Sequence, residues 1–217
     1  MNRRHLFFDL DGTLIDPKIG ITTSLQYALK KLDAPVPDAD ELLWCIGPPL
    51  SRSLAELLQT TDERLIHTGV QFYRERFRAV GKFEATLYQA IPATLHRLKS
   101  EGFQLFVATS KLHEYAEEIM RHFEIAAYFT TVYGSELDGR LGEKSDLLAH
   151  ALNAEGLAAD DCWMIGDRKY DVIGANANKM DCVGVLYGYG SREELTNAGA
   201  RHLAATPEEL PRIVGCC

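Results

Sequence analysis

The stretch His5-Leu6-Phe7-Phe8-Asp9-Leu10-Asp11-Gly12-Thr13-Leu14 decides the fold. An apolar run leads into two aspartates two positions apart. A strand buried on both faces of a parallel sheet reads as such a run rather than as an alternation. Asp9 and Asp11 interrupt it, which places them at the carboxyl end of the strand, where open α/β sheets hold their ligands. Residues i and i+2 of a strand share a face, so both carboxylates point into one pocket. Left alone they repel, and one retains a proton. A hard cation with carboxylate oxygens as ligands resolves that conflict.

Beyond this strand the chain alternates. Residues 104–108, 128–133, 162–165 and 182–186 read as short buried strands bounded by Gly, Asp, Lys or Ser. Helical patterns separate them at 92–100, 114–123, 144–155 and 170–178. Such alternation predicts right-handed βαβ units, hence an α/β fold with a Rossmann-like parallel sheet core and helices on both faces. From Ile19 to about Phe83 the pattern is helical throughout. Ile21, Leu25, Ala28, Leu29 and Leu32 recur at helical spacing, as do Leu50, Leu54, Leu57 and Leu58. Val70, Phe72, Tyr73 and Phe77 mark a third helix. Residues 1–15 and 84–217 therefore read as the α/β core, and 16–83 as an inserted α-helical cap domain.

Bulk properties narrow the partners. A chain of 217 residues suffices for one α/β core plus an insertion. The formal charge of −8 argues against duplex nucleic acid but not against a small phosphorylated substrate, because a cation and a lysine set the local field. No apolar run has transmembrane length and no signal peptide is evident, so the expectation is a cytoplasmic protein without a membrane partner. The five cysteines form no C-x-x-C pair and read as free thiols, with Cys162 and Cys182 in the core and Cys216-Cys217 an exposed tail. The chain reads as a monomer or homodimer.

Four clusters carry chemistry. The Asp9-x-Asp11 opening is not a calcium loop, since Leu14 and Gly20 stand where Gly and Glu are needed. Thr109-Ser110-Lys111 follows a strand; a Thr there is an N-cap, or an open helix terminus that takes phosphate oxygens. Lys111 reads either as a solvated charge or as a residue at the substrate's edge. Lys144 starts a helix against the macrodipole, a locally disfavoured place, and Arg140 is its rival as site cation. In Gly166-Asp167-Arg168-Lys169-Tyr170-Asp171 two carboxylates four apart share a face if a helix begins at once. An N-cap accounts for one of them, not both.

Taken in order, these clusters resemble the four motifs of the haloacid dehalogenase-like hydrolase superfamily, most of whose members are magnesium-dependent phosphatases. The helical insertion resembles that superfamily's small α-helical cap. The resemblance implies Asp9 as nucleophile, forming an aspartyl-phosphate, and Asp11 as general acid and then base. It implies Gly12, Thr109, Ser110 and Lys144 as phosphate-binding groups. Mg2+ is implied on Asp9, the Asp11 carbonyl and Asp167, with Asp171 supporting a metal-bound water or Lys144. Asp11 and Asp167 together speak against dehalogenase activity. A non-catalytic binding module would be expected to have lost a motif residue; a phosphomutase would keep them all.

Two subfamilies fit best, the phosphoglycolate phosphatases and a bacterial 5'-nucleotidase-like group. Stretches resembling the second include Ile46-Gly47-Pro48-Pro49-Leu50, Tyr73-Arg74-Glu75-Arg76-Phe77 and Val185-Leu186-Tyr187-Gly188-Tyr189-Gly190. The resemblance thus implies nucleoside 5'-monophosphates as substrates, with phosphoglycolate or another small phosphorylated metabolite as the alternative. In the cap, the loop holding Trp44, Gly47, Pro48 and Pro49 reads either as the part that selects the substrate or as a plain turn.

Overall fold

The computed structural model describes residues 3–215; the Cys216-Cys217 tail lies outside them. The chain divides into two compact units, one of residues 1–16 and 87–217, the other of 17–86.

The first unit is built on strands β1 (His5–Phe8), β4 (Gln104–Leu112), β5 (Thr131–Ser135), β6 (Cys162–Gly166), β7 (Asp181–Val185) and β8 (His202–Ala204). The short β2 (Ile15–Asp16) and β3 (Thr86–Leu87) form a separate two-stranded sheet. The main sheet has the order β5-β4-β1-β6-β7-β8, and its pairs are parallel. β1 lies at its centre: Phe8 pairs with Val107 of β4 on one side and Ile165 of β6 on the other. Leu6, Phe7 and Phe8 are fully buried, which is what their unbroken apolar run requires. The flanking helices are α4 (Ile91–Ser100), α5 (His113–His122), α6 (Lys144–Glu155), α7 (Lys169–Ala177), α8 (Arg192–Asn197) and α9 (Leu210–Val214). Pro92 occupies the first turn of α4, where a missing N–H costs nothing. Leu147, Leu148 and Ala151 of α6 and Val172 and Ala175 of α7 close over Phe7, Phe106, Met164 and Cys182 of the sheet.

Three details depart from the sequence reading. β4 does not end at Ala108 but runs on to Leu112, with a register shift against β5 between Thr109 and Leu112. The strand expected over 128–133 starts at Thr131, because Ala126–Tyr128 is wound into a single 3-10 turn. β8 was not expected: it has three residues, one of them an exposed histidine, and so no apolar run to reveal it.

The second unit is helical. It holds α1 (Lys18–Lys31), α2 (Leu50–Leu57) and α3 (Glu63–Ala79), with 3-10 turns at Ala39–Cys45 and Gly81–Phe83. Asp62 caps α3 by accepting the Arg64 N–H at 2.9 Å. Gly20 lets α1 meet the following turn: a Cβ there would stand 2.0 Å from the Gly81 carbonyl oxygen. Leu25, Leu29, Leu54, Val70, Tyr73 and Phe77 are buried. Within 44–51 only residues 46–49 form a loop, since Trp44 and Cys45 close a 3-10 turn and Leu50 opens α2. No helix among the described residues is long and apolar enough to cross a membrane.

Candidate active site

The chemistry-bearing residues of the first unit gather at the carboxyl ends of β1, β4 and β6. Asp9 follows β1 directly, and its N–H donates to the Ile165 carbonyl of β6 at 2.8 Å. Its Oδ1 accepts the Leu10 N–H at 2.7 Å and stands 3.0 Å from Lys144 Nζ. That same nitrogen lies 2.8 Å from Asp171 Oδ1 and donates to the Ala108 carbonyl of β4 at 2.7 Å. Lys144 is thus buried, ion-paired to two carboxylates and hydrogen-bonded to one carbonyl. Burial alone would lower its pKa, yet Asp171 and Asp9 together hold it raised. A Cβ on Gly174 would sit 2.8 Å from Lys144 Cγ, so glycine there lets α7 take the lysine stem against its backbone. Arg140, the rival cation, is 70 % exposed and pairs with Glu136 and Asp138 at the surface.

Asp167 follows β6 and is fully buried. Its Oδ2 accepts the Tyr189 N–H at 2.8 Å, and its Oδ1 accepts from the Thr13 hydroxyl at 3.4 Å. Burial, then the charges of Asp171 and Asp9, push its carboxyl well above the usual range. Asp171 accepts the Arg168 N–H at 3.0 Å and so closes the first turn of α7. Burial pushes its pKa up to about 6, against the pull of Lys144.

Oxygens of Asp9, Asp167 and Asp171 lie within 4.8 Å of one another. With Asp11 they make four carboxylates facing two lysines, Lys111 and Lys144, an excess of two negative charges. Like charges at this spacing repel by about 3 kcal/mol per pair at an effective dielectric near 20. All the donor atoms are oxygens, the set a hard divalent cation takes, and its charge matches the excess. The residues present therefore fit Mg2+.

Two residues stand differently from their sequence reading. Gly12 was assigned to the phosphate through its N–H, but that N–H donates to the Ile15 carbonyl at 2.8 Å. What the site needs of Gly12 is its backbone: φ is +78°, and a Cβ would lie 2.2 Å from Asp167 Oδ2. Lys111 is not a solvated charge. Its side chain is 6 % exposed, and its Nζ stands 2.8 Å from Asp11 Oδ2. Burial raises the Asp11 carboxyl pKa, with Lys111 opposing.

Thr109 is buried on β4, one residue past the carbonyl that Lys144 grips, and Ser110 follows it half-buried. Because β4 continues, Thr109 is not a helix cap; its hydroxyl accepts the Lys111 N–H at 3.3 Å. Trp44, Gly47, Pro48 and Pro49 belong to the second unit.

The segment after β7 contributes groups that sequence reasoning missed. Tyr187 donates its hydroxyl to the Thr13 carbonyl, Tyr189 donates its own to Asp16, and Tyr189 also supplies the N–H on Asp167. A Cβ on Gly188 would stand 2.3 Å from the Gly12 oxygen, and one on Gly190 1.9 Å from the Asp167 oxygen. The available signal was two glycines alternating with tyrosines straight after a buried strand, a mark of close backbone approach.

A family model described as haloacid dehalogenase-like hydrolase matches residues 6–185. The chain belongs to the haloacid dehalogenase-like hydrolases. Within that family it is similar to a 5'-nucleotidase from Pseudomonas aeruginosa, 45 % identical over 97 % of this chain and 95 % of the relative. It is also similar to the tyrosine-protein kinase PtkA of Mycobacterium tuberculosis, 37 % identical over 97 % of this chain and 72 % of that one. The crystal structure of a predicted phosphatase from Clostridium acetobutylicum superposes with a TM-score of 0.96 at 43 % identity, covering 99 % of both chains. This haloacid dehalogenase-like hydrolase thus shares its fold with the predicted phosphatase from Clostridium acetobutylicum along nearly the whole of both chains.

Proposed function

We propose that this phosphatase hydrolyses nucleoside 5'-monophosphates through an aspartyl-phosphate on Asp9, with Mg2+ held by Asp9, the Asp11 carbonyl and Asp167. The observation that carries the reading is the buried pairing of Asp9 with Lys144 beside Asp167 and Asp171, at the mouth of three parallel strands. Bound there, the cation supplies charge neutralisation for the site and for the transferring phosphoryl group.

The chain's own residues do the rest. Lys144 fixes one oxygen of Asp9, which orients the carboxylate as a nucleophile. Asp11 gives a proton to the departing ester oxygen and later takes one from water. Thr109, Ser110 and Lys144 receive the phosphoryl oxygens. Phosphoryl transfer depends mainly on positioning and on charge stabilisation, and both are provided by groups held on strand ends. Asp171 keeps Lys144 in place.

The nucleoside 5'-monophosphate is supported by the 45 % identity to a 5'-nucleotidase along nearly the whole chain. The helical second unit is assigned as the cap, and Trp44, Gly47, Pro48 and Pro49 as the residues that select the leaving group. Free, buried Cys162 and Cys182 support a reducing, cytoplasmic setting.

The test is orthophosphate release from purified protein with magnesium, offered a nucleoside 5'-monophosphate, phosphoglycolate and an aryl phosphate. The nucleotide should give the highest kcat/KM. Preference for phosphoglycolate would replace the substrate with its alternative, and full activity in chelator would remove the metal. Label passing to a tyrosine hydroxyl instead of water would make the enzyme a kinase. Replacing Pro48 and Pro49 by Ala should redistribute preference among the three esters; a uniform change would make that loop merely structural.

A further inference from the structure

We propose that Lys111 is a positioning residue that turns Asp11 toward the leaving group, and that β4 is extended past Thr109 to deliver it. The inference rests on the phosphatase reading above and adds a residue that reading does not use.

The first observation is a buried ion pair. Lys111 Nζ stands 2.8 Å from Asp11 Oδ2, with the two side chains 6 % and 11 % exposed. A lysine ammonium taken out of water is costly unless it is paired, so this placement is specified rather than incidental. The terminal torsion of an aspartate is broad and two-fold, and nothing in β1 chooses between its two oxygens. Lys111 chooses. It takes Oδ2 and leaves Oδ1, which is buried and has no hydrogen-bond partner.

The second observation is how the backbone puts the lysine there. A strand ending at Ala108 would send the chain into α5 with residue 111 in its first turn. Instead β4 continues to Leu112, and its register against β5 shifts between Thr109 and Leu112. A bulge of this kind re-aims a side chain beside an active site. The Thr109 hydroxyl accepts the Lys111 N–H and fixes the irregular turn of chain. On β5, Gly134 makes room: a Cβ there would stand 2.6 Å from His113 Cα and 2.8 Å from the Lys111 oxygen.

The chemistry balances without a proton from Lys111. An Asp9 oxygen bonds to phosphorus as the ester P–O bond breaks, and the proton on Asp11 goes to the ester oxygen, which leaves as an alcohol. Water then gives a proton to Asp11 as its oxygen bonds to phosphorus. The P–O bond to Asp9 breaks, releasing orthophosphate and restoring the carboxylate. Throughout, Lys111 holds Oδ2.

Leaving-group dependence tests this. An alkyl ester such as a nucleoside 5'-monophosphate needs the proton, whereas p-nitrophenyl phosphate departs as a stabilised anion. General acid catalysis contributes on the order of 10²–10⁴. Lys111→Met should therefore lower kcat roughly 10–100-fold more on the nucleotide than on the aryl ester, with little change in KM. Lys111→Arg should restore part of the difference. Asp11→Asn should show the same selectivity, and adding Lys111→Met to it should cost nothing further. Equal losses on both esters, a rise in KM alone, or additive losses overturn the proposal. Should Lys111→Met fail to fold, Gly134→Ala and Lys111→Arg carry the same comparison. If the native enzyme with magnesium turns over neither ester, the phosphatase reading fails. A crystal structure of Lys111→Met then still decides the lysine's hold: an Asp11 carboxylate left in place overturns it, and a rotated one supports it.

Discussion

Lys144 holds two carboxylates and a carbonyl at once, all out of water. Breaking a buried pair by removing one partner costs roughly 3–5 kcal/mol, because the charge left behind has no compensation. Lys144→Met should lower the urea midpoint by a corresponding amount as well as stop turnover; an unchanged midpoint would mean the triad contributes nothing to folding. Asp9→Asn keeps the size and hydrogen bonds of the side chain and removes the proposed nucleophile, so phosphate release should vanish while the fold persists. Turnover near the native rate in that variant would sink the covalent route. The positions of Asp9, Asp11 and Asp167 were legible in the sequence because each interrupts or follows an apolar run, where a charge is costly unless a partner or ligand meets it, and Asp171 was legible from its four-residue spacing to Asp167. The place of Lys111 was not. A lysine three residues beyond a strand looks like solvent, and only tertiary structure shows that the strand has not ended.

Elements explain the remaining gaps. Strands with a dense apolar run, such as Cys162–Gly166, announce themselves; β8 draws its pairing from β7 and carries no such mark. Helices fared similarly. The residues of α6 fall on Lys144–Glu155 as expected, because Gly156 in the left-handed region ends the helix with a signal visible in the sequence. The 187–190 segment shows the opposite case, in which function lies in the backbone. Gly188 and Gly190 permit the approach that brings the Tyr189 N–H to Asp167. Gly188→Ala should push that N–H away and weaken magnesium binding measured by calorimetry, with the far-ultraviolet spectrum unchanged. Unaltered metal affinity would separate this segment from the metal site.

Taken as a whole, the chain is acidic, and its site concentrates the same sign of charge where water is absent. Folding without a cation leaves these carboxyl groups crowded together in the interior. Magnesium that binds only the folded state adds stability by mass action, about 2.7 kcal/mol at a hundredfold excess over Kd. Chelation should therefore lower the melting temperature by several degrees, and magnesium should restore it; a melting temperature indifferent to both would place the cation elsewhere. The α/β class was readable from the alternation alone, since short apolar strands separated by helical segments build a parallel sheet that helices cover.

The central place of β1 also governs how the protein is made. Phe8 has one neighbour at Val107 and the other at Ile165, so the strand that leads into Asp9 emerges from the ribosome well before either partner exists. Until β4 has been synthesised the Leu6-Phe7-Phe8 segment has no strand to pair with, and until β6 follows one of its edges stays open; an exposed apolar strand is an aggregation hazard. Production of this protein should therefore depend on translation speed, temperature and chaperone supply more than its final stability suggests, and chains truncated before Cys162 should be insoluble rather than weakly active.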